Sequence, residues 1–349
     1  MKYRKMIACL MMSAVMATAP AAHVFAEAAE QEEAEAEPEE ETVEVVPVVW
    51  EPSPEHPIID TDEARELYAS IKAGEYPTME ELMANPVVGQ LDALSAYYKA
   101  LFGNTAEIDT PERDALRQAI KEEFLKMGSA DSVFDSATER YSYVYDGELE
   151  KGFKMELVLG LPASGKSTRV SDPDSEEMNA FILDVDIIKS MIPEYIGSHG
   201  AGADAIHFEG MLIFNEAVKE FLEGDMKGTN VILPIVAGDL DDLFENYIEP
   251  FEAAGYDVRA KFCDAEPNES LARVIMRELG DGGQLINSAV VSSFGYAPKE
   301  VYEELAPMTN AQGNLYGLEE DATIIQFPGT GEEAAEETEE SAEEVEDAA

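Results

Sequence analysis

The chain has 349 residues, room for one large domain or two smaller ones, and 74 acidic residues against 23 lysines and arginines give a formal net charge of −51. That charge excludes nucleic acid as a partner, since no basic track is left to follow a phosphate backbone. Two cysteines, Cys9 and Cys263, exclude a disulfide-built scaffold.

In chain order, Lys2, Arg4 and Lys5 precede an apolar stretch over 6–19 that is too short to span a bilayer. Val24-Phe25-Ala26 then supplies a cleavage site, so residues 1–26 read as a secretory signal peptide and the chain as an exported bacterial protein. Cys9 sits at the start of the apolar stretch, the wrong end for a lipid-attachment cysteine, so cleavage leaves Cys263 alone. Residues 27–57 are acidic and then Pro-interrupted, a linker, and 329–349 are an acidic tail; both are expected to be solvated and disordered. No later apolar run is long enough for a membrane span.

Residues 58–140 read as an all-helical region. Thr61-Asp62-Glu63 opens a helix with Ala64, Leu67, Tyr68 and Ile71 on one face, ended by Gly74 and Pro77. Thr78 caps a short helix over 79–83, a third covers 88–102, and Thr110-Pro111-Glu112 opens a fourth that runs to Lys126. From 141 the pattern changes, and residues 141–328 read as an α/β domain. Strands are expected at 141–145, 155–160, 181–185, 230–236, 257–263 and 323–327, and helices at 187–192, 204–222, 239–254 and 268–279. Strands alternating with helices imply a parallel sheet flanked by helices, with ligands at the carboxyl ends of the strands.

The second of these strands breaks into Gly160-Leu161-Pro162-Ala163-Ser164-Gly165-Lys166-Ser167-Thr168, a P-loop. A strand that ends in this loop and restarts as a helix aims successive N–H groups at one spot, a nest for phosphate oxygens. Lys166 then reaches the outer phosphates of ATP, and the Ser167 hydroxyl is a ligand for Mg²⁺. At the end of the next strand stand Asp184 and Asp186. Asp186 is the candidate base for an acceptor hydroxyl; Asp184 is a metal or supporting group, or simply a helix cap. Arg273 and Arg277 lie four apart on one helix, either a clamp on the transferring phosphoryl group or ion-pair partners of Glu269 and its neighbours. Arg169 is a weaker candidate. Glu209 is a candidate substrate contact, with His207 off its face, and the four histidines show no zinc spacing.

Over residues 153–307 these features resemble the zeta toxin family of P-loop kinases. The resemblance rests on the P-loop with its internal Pro162, Asp184-Val-Asp186, Ile192-Pro-Glu-Tyr195, His207-Phe-Glu209, Asn230-Val-Ile-Leu-Pro234, Gly255-Tyr256 and Arg273-x-x-x-Arg277. It implies catalytic roles for Lys166, Asp186, Arg273 and Arg277, and a substrate role for Glu209. It further implies transfer of phosphate from ATP to the 3′-hydroxyl of UDP-N-acetylglucosamine. Two departures stand out. The family's further arginine after the Arg-bearing helix is missing from Gly280-Asp-Gly-Gly283-Gln284, and Asp172-Pro173 is expected to cut the P-loop helix short. A P-loop ATPase and a degenerate nucleotide-binding module are the alternative readings.

Overall fold

The computed structural model describes residues 59–126, 149–198, 200–281, 284–318 and 324–326. The signal peptide, the linker, the acidic tail and the strand expected at 141–145 lie outside the described residues. All described residues fall in one compact unit, 49–349.

Five parallel strands form the sheet: β1 (Lys154–Gly160), β2 (Phe181–Ile182), β3 (Val231–Ile235), β4 (Asp257–Asp264) and β5 (Ile324–Gln326), in the spatial order β2-β3-β1-β4-β5. β1 is central, with Leu157 opposite Leu233 on one side and Ala260 on the other. Its residues from Met155 to Gly160 are all buried, Glu156 among them, as the centre of a parallel sheet covered on both faces requires. The chain leaves β1 toward β2 but leaves the adjacent β4 toward β5. That reversal puts the topological switch point between β1 and β4, at the strand end from which the P-loop leaves.

The helical region follows its sequence signals closely. α1 (Asp62–Lys72) is capped by Thr61, whose hydroxyl accepts the Ala64 N–H at 3.1 Å, and it buries Ala64, Leu67 and Ile71. α2 (Met79–Ala84) opens with a capping box between Thr78 and Glu81, satisfying two N–H groups that helix geometry leaves unpaired. α3 (Pro86–Phe102) and α4 (Pro111–Lys126) each start on a proline, whose missing N–H costs nothing there. These helices are not a satellite. Leu67, Ile71, Leu82, Val88 and Leu91 share a core with Leu271, Val274 and Ile275 of α11 (Pro267–Met276). Phe124 of α4 enters the main core, edge-on to Phe181 with ring centres 5.4 Å apart.

In the α/β part, α5 (Asp172–Met178), α6 (Val185–Ser190), α7 (Pro193–Gly197), α8 (His207–Glu223), α9 (Leu240–Leu243) and α10 (Glu249–Ala253) precede α11. α12 (Ser288–Phe294) and α13 (Ala297–Leu305) follow it. Several expectations need correction. The P-loop helix is not cut short: a π-turn at Ser167–Ser171 runs straight into α5, and Pro173 stands at the junction, where the hydrogen-bond ladder changes from π to α and a residue without an N–H is tolerated. The strand expected over 181–185 stops at Ile182, because Asp184 already caps α6. α8 starts at His207 rather than 204, after a string of turns. The helix expected over 239–254 contains a π-turn, Phe244–Ile248, as does the end of α11 at Arg277–Asp281. α7, α12 and α13 are additional. Pro193 and Pro298 mark the first turns of α7 and α13, and Asn287 caps α12.

One carboxylate is built into the central strand. Glu156 is buried beside Lys261, 3.3 Å away, which also pairs with Asp174 at 2.5 Å. Burial first, then the Asp174 charge, push the Glu156 carboxyl up to about 8, against the pull of Lys261. Between its ordinary 4.5 and about 8 the folded chain holds a proton that the unfolded chain has released. This contribution to stability is therefore complete below 4.5 and lost as the pH rises through about 8. Glu156→Gln is expected to melt about 3 °C or more above wild type at pH 8.5, with the gap closing toward pH 5, read by thermal unfolding across pH.

Candidate functional site

The loop after β1 takes its shape from three left-handed or near-extended turns of backbone: φ is 154° at Gly160, 52° at Ala163 and 89° at Gly165. At Gly160 a side chain is excluded twice over, because a Cβ there would lie 2.7 Å from Ser164 Oγ and 2.8 Å from the Cys263 carbonyl. Ser270 of α11 braces the loop from outside, donating its hydroxyl to the Pro162 carbonyl at 2.7 Å. Ser164 Oγ is buried within the loop with no protein partner among the described residues. Ser167 and Thr168, at the start of the helix, are exposed.

Lys166 folds over its own loop and donates to the carbonyls of Gly160 at 2.9 Å and Leu161 at 2.7 Å. Burial lowers its ammonium to about 8; Cys263, Asp184 and Asp186 pull it back up, and Arg277 pushes it down. The groups that act on Lys166 thus include three that the sequence singles out. They converge here from the ends of β1, β2 and α11.

The two aspartates have different tasks. Asp184 Oδ1 accepts the Asp186 N–H at 2.8 Å, so the cap and the base candidate are held as one turn. Burial, and then the neighbouring Asp186 charge, raise the Asp184 carboxyl to about 7. Burial acts on Asp186 in the same direction, but Lys189 and Gln284 outweigh it and hold Asp186 below the usual range. Lys189 Nζ lies 2.8 Å from Asp186 Oδ1, and Gln284 Nε2 lies 2.5 Å from Oδ2. Asp186 stays ionised, as a general base must.

The arginines separate. Arg277 faces Lys166 electrostatically, whereas Arg273 pairs with Glu269 on its own helix and lies 5.3 Å from the Tyr76 ring of the helical region. The two stay one helical turn apart, since the Arg277 N–H donates to the Arg273 carbonyl, but their side chains take different partners. Glu209 is likewise not open to a ligand. It is 1% exposed, and its oxygens are taken by Arg113 and by Arg117 Nε at 2.8 Å, both from α4. Arg113 also grips Glu194 through two bonds of 2.9 and 3.0 Å. Arg117 in turn donates to the Thr105 and Ile108 carbonyls, tying the turn before α4 to α8.

The model of the family described as zeta toxin matches residues 135–323, more than half of the chain. The chain belongs to the zeta toxin family. Two solved structures are also similar. One is from the PezAT chromosomal toxin–antitoxin system of Streptococcus pneumoniae, at 13% identity and a TM-score of 0.41, covering 68% of this chain and 96% of that one. The other is a candidate kinase from Chloroflexus aurantiacus J-10-fl, at 16% identity and a TM-score of 0.33, covering 54% and 97%. No curated protein matches.

Zeta toxin membership supports a P-loop kinase-type function with nucleotide binding, generally with Mg²⁺. The residues present fit such a cation. Ser167 offers an exposed hydroxyl at the helix start, and the second carboxylate of the Asp184/Asp186 pair carries a charge that a cation would relieve. Among the described residues no preformed group of three or more His, Cys, Asp or Glu side chains exists to hold a metal. Mg²⁺ takes one or two protein ligands and completes its shell with phosphate and water. No helix of the described residues is long and apolar enough to cross a membrane.

The sequence reading passed over Lys189, Gln284, Arg113 and Arg117. Three carried a visible signal: Lys189 stands three residues after Asp186 at a helix start, and Arg113 and Arg117 stand four apart on α4. Gln284 carried none, since it reaches Asp186 from 98 residues away.

Proposed function

We propose that this chain is an ATP-dependent phosphotransferase acting on a hydroxyl of a small molecule, a sugar nucleotide such as UDP-N-acetylglucosamine. The observation that carries this reading is the approach of an ionised Asp186 to a P-loop lysine. One group can take a proton from an acceptor hydroxyl where the other neutralises phosphate.

Asp186 accepts the hydroxyl proton as the acceptor oxygen bonds to the γ-phosphorus. The bond from that phosphorus to the β–γ bridging oxygen breaks, and ADP leaves with the electron pair. Lys166 and Arg277 offset the charge on the phosphoryl oxygens, and the nest from Gly160 to Thr168 holds the remaining phosphates. Ser167 and Asp184 would hold Mg²⁺, which would offset charge on the phosphates. Arg273 acts from behind, through α11, and Glu209 anchors the helical region rather than the acceptor.

The test is incubation of the chain with ATP, Mg²⁺ and UDP-N-acetylglucosamine, followed by mass analysis. A phosphorylated sugar nucleotide supports the reading. ATP hydrolysis indifferent to any sugar nucleotide would replace it with an ATPase, and no turnover with a nucleotide-binding module. The basic, apolar and small-residue segments of 1–26 support export of the same chain. The mature N-terminus is then expected at Glu27, and secreted material that retains Met1 would overturn export.

A further inference from the structure

The tether on Asp186 has three parts, drawn from three elements. Lys189 comes from the same helix, one turn on, and is only 7% exposed although it carries a charge. Gln284 comes from the segment between α11 and α12 and is itself buried, so its amide has few partners to choose from. It gives one N–H to Asp186 Oδ2 and accepts from Lys189 Nζ at 3.3 Å, closing a triangle. The third part is a gap. Gly210, buried near the start of α8, leaves space for the Lys189 stem: a Cβ there would stand 2.9 Å from Lys189 Cγ and 3.6 Å from Val185 Cγ2. Alanine is intrinsically better than glycine inside a helix by about 1 kcal/mol, so helix formation itself does not call for glycine at this position.

We infer that Lys189 and Gln284 are positioning residues that fix the plane of the Asp186 carboxylate, and that Gly210 keeps the space in which Lys189 can do so. This rests on reading Asp186 as the base for the acceptor hydroxyl. Each carboxylate oxygen has one donor from the tether and keeps a further lone pair, so the group stays able to accept one more hydrogen bond in a fixed direction. Gln284 is a neutral amide, so the charge-assisted bond to Asp186 comes from Lys189.

The effect to measure is a loss in kcat at unchanged ATP affinity, because the tether touches neither the P-loop nor the phosphates. Lys189→Met is expected to lower kcat by about 10²-fold, the scale of misplacing a reacting group by an ångström, with the KM for ATP within about 3-fold. Lys189→Arg restores charge and donors and is expected to recover about ten-fold of that loss. Gly210→Ala is the sharper variant. It should lose about ten-fold in kcat by displacing Lys189, with the gain in helix propensity offsetting part of the cost of overpacking. A kcat within about two-fold of wild type in both Lys189→Met and Gly210→Ala would overturn the inference, as would a loss lying wholly in the KM for ATP. Should the wild type transfer no phosphate to any acceptor, the base reading fails, and crystal structures of wild type and Lys189→Met decide the tether separately. An Asp186 carboxylate that rotates on loss of Lys189 sustains it, and one that stays in place overturns it.

Discussion

Asp186→Asn is expected to lower kcat for phosphoryl transfer by about 10²–10⁴-fold while leaving the fold and ATP affinity nearly unchanged. The asparagine keeps the size of the side chain and its oxygen can still accept from Lys189, but its NH2 then faces the Gln284 donor, so one arm of the tether is lost. The charge that accepts a proton is lost with it. Removing it also relieves Asp184, whose carboxyl is raised partly by the Asp186 charge, so that carboxyl is expected to fall toward its ordinary range. Steady-state kinetics beside nucleotide titration separate these effects. An Asp186→Asn protein with wild-type kcat would remove Asp186 from the chemistry altogether.

Lys166→Ala is expected to act on both binding and chemistry. Its ammonium lies inside the loop, held by the Gly160 and Leu161 carbonyls, where the outer phosphates of a nucleotide belong. Loss of one such charge from a preorganised site costs about 10²–10³-fold in kcat, and here a weaker affinity for ATP is expected as well. Stability should move the other way. Burial disfavours the charged form of Lys166, so an alanine there is expected to melt at or above the wild-type temperature in the absence of nucleotide. ATP should then raise the melting temperature of wild type far more than that of the variant. Equal stabilisation of the two by ATP would show that the loop does not hold the phosphates.

Much of the fold was legible because its signals are local. Thr61, Thr78 and Asn85 cap helices by bonding N–H groups two or three residues away, and Pro86 and Pro111 open helices for lack of an N–H. The apolar runs of β1 and β3 stand out because a parallel sheet buries both faces of a strand, while β4 shows by alternation, with Val258, Ala260 and Phe262 buried. Legibility fails where two local rules compete. At 181–185 an apolar run favours a strand, but Asp184 is also a helix cap, and the cap ends the strand at Ile182. At Asp172-Pro173 the proline looks like a stop, yet a π-turn places it where it is harmless.

The sequence by itself determined the phosphate loop, the carboxylate pair at the end of the next strand, and the layering of helices on a parallel sheet. Each of these is written in spacings of a few residues, within which backbone geometry leaves little choice. Which charges meet was decided only by the tertiary structure. Gln284 reaches Asp186 across 98 residues, Arg113 takes Glu209 across 96, and Arg273 meets the Tyr76 hydroxyl across 197. In so acidic a chain each arginine or lysine has many candidate partners. Packing of α4 on α8 and of α1 and α2 on α11 selects among them, because a buried charge must be paired and only neighbours fixed by the core are within reach.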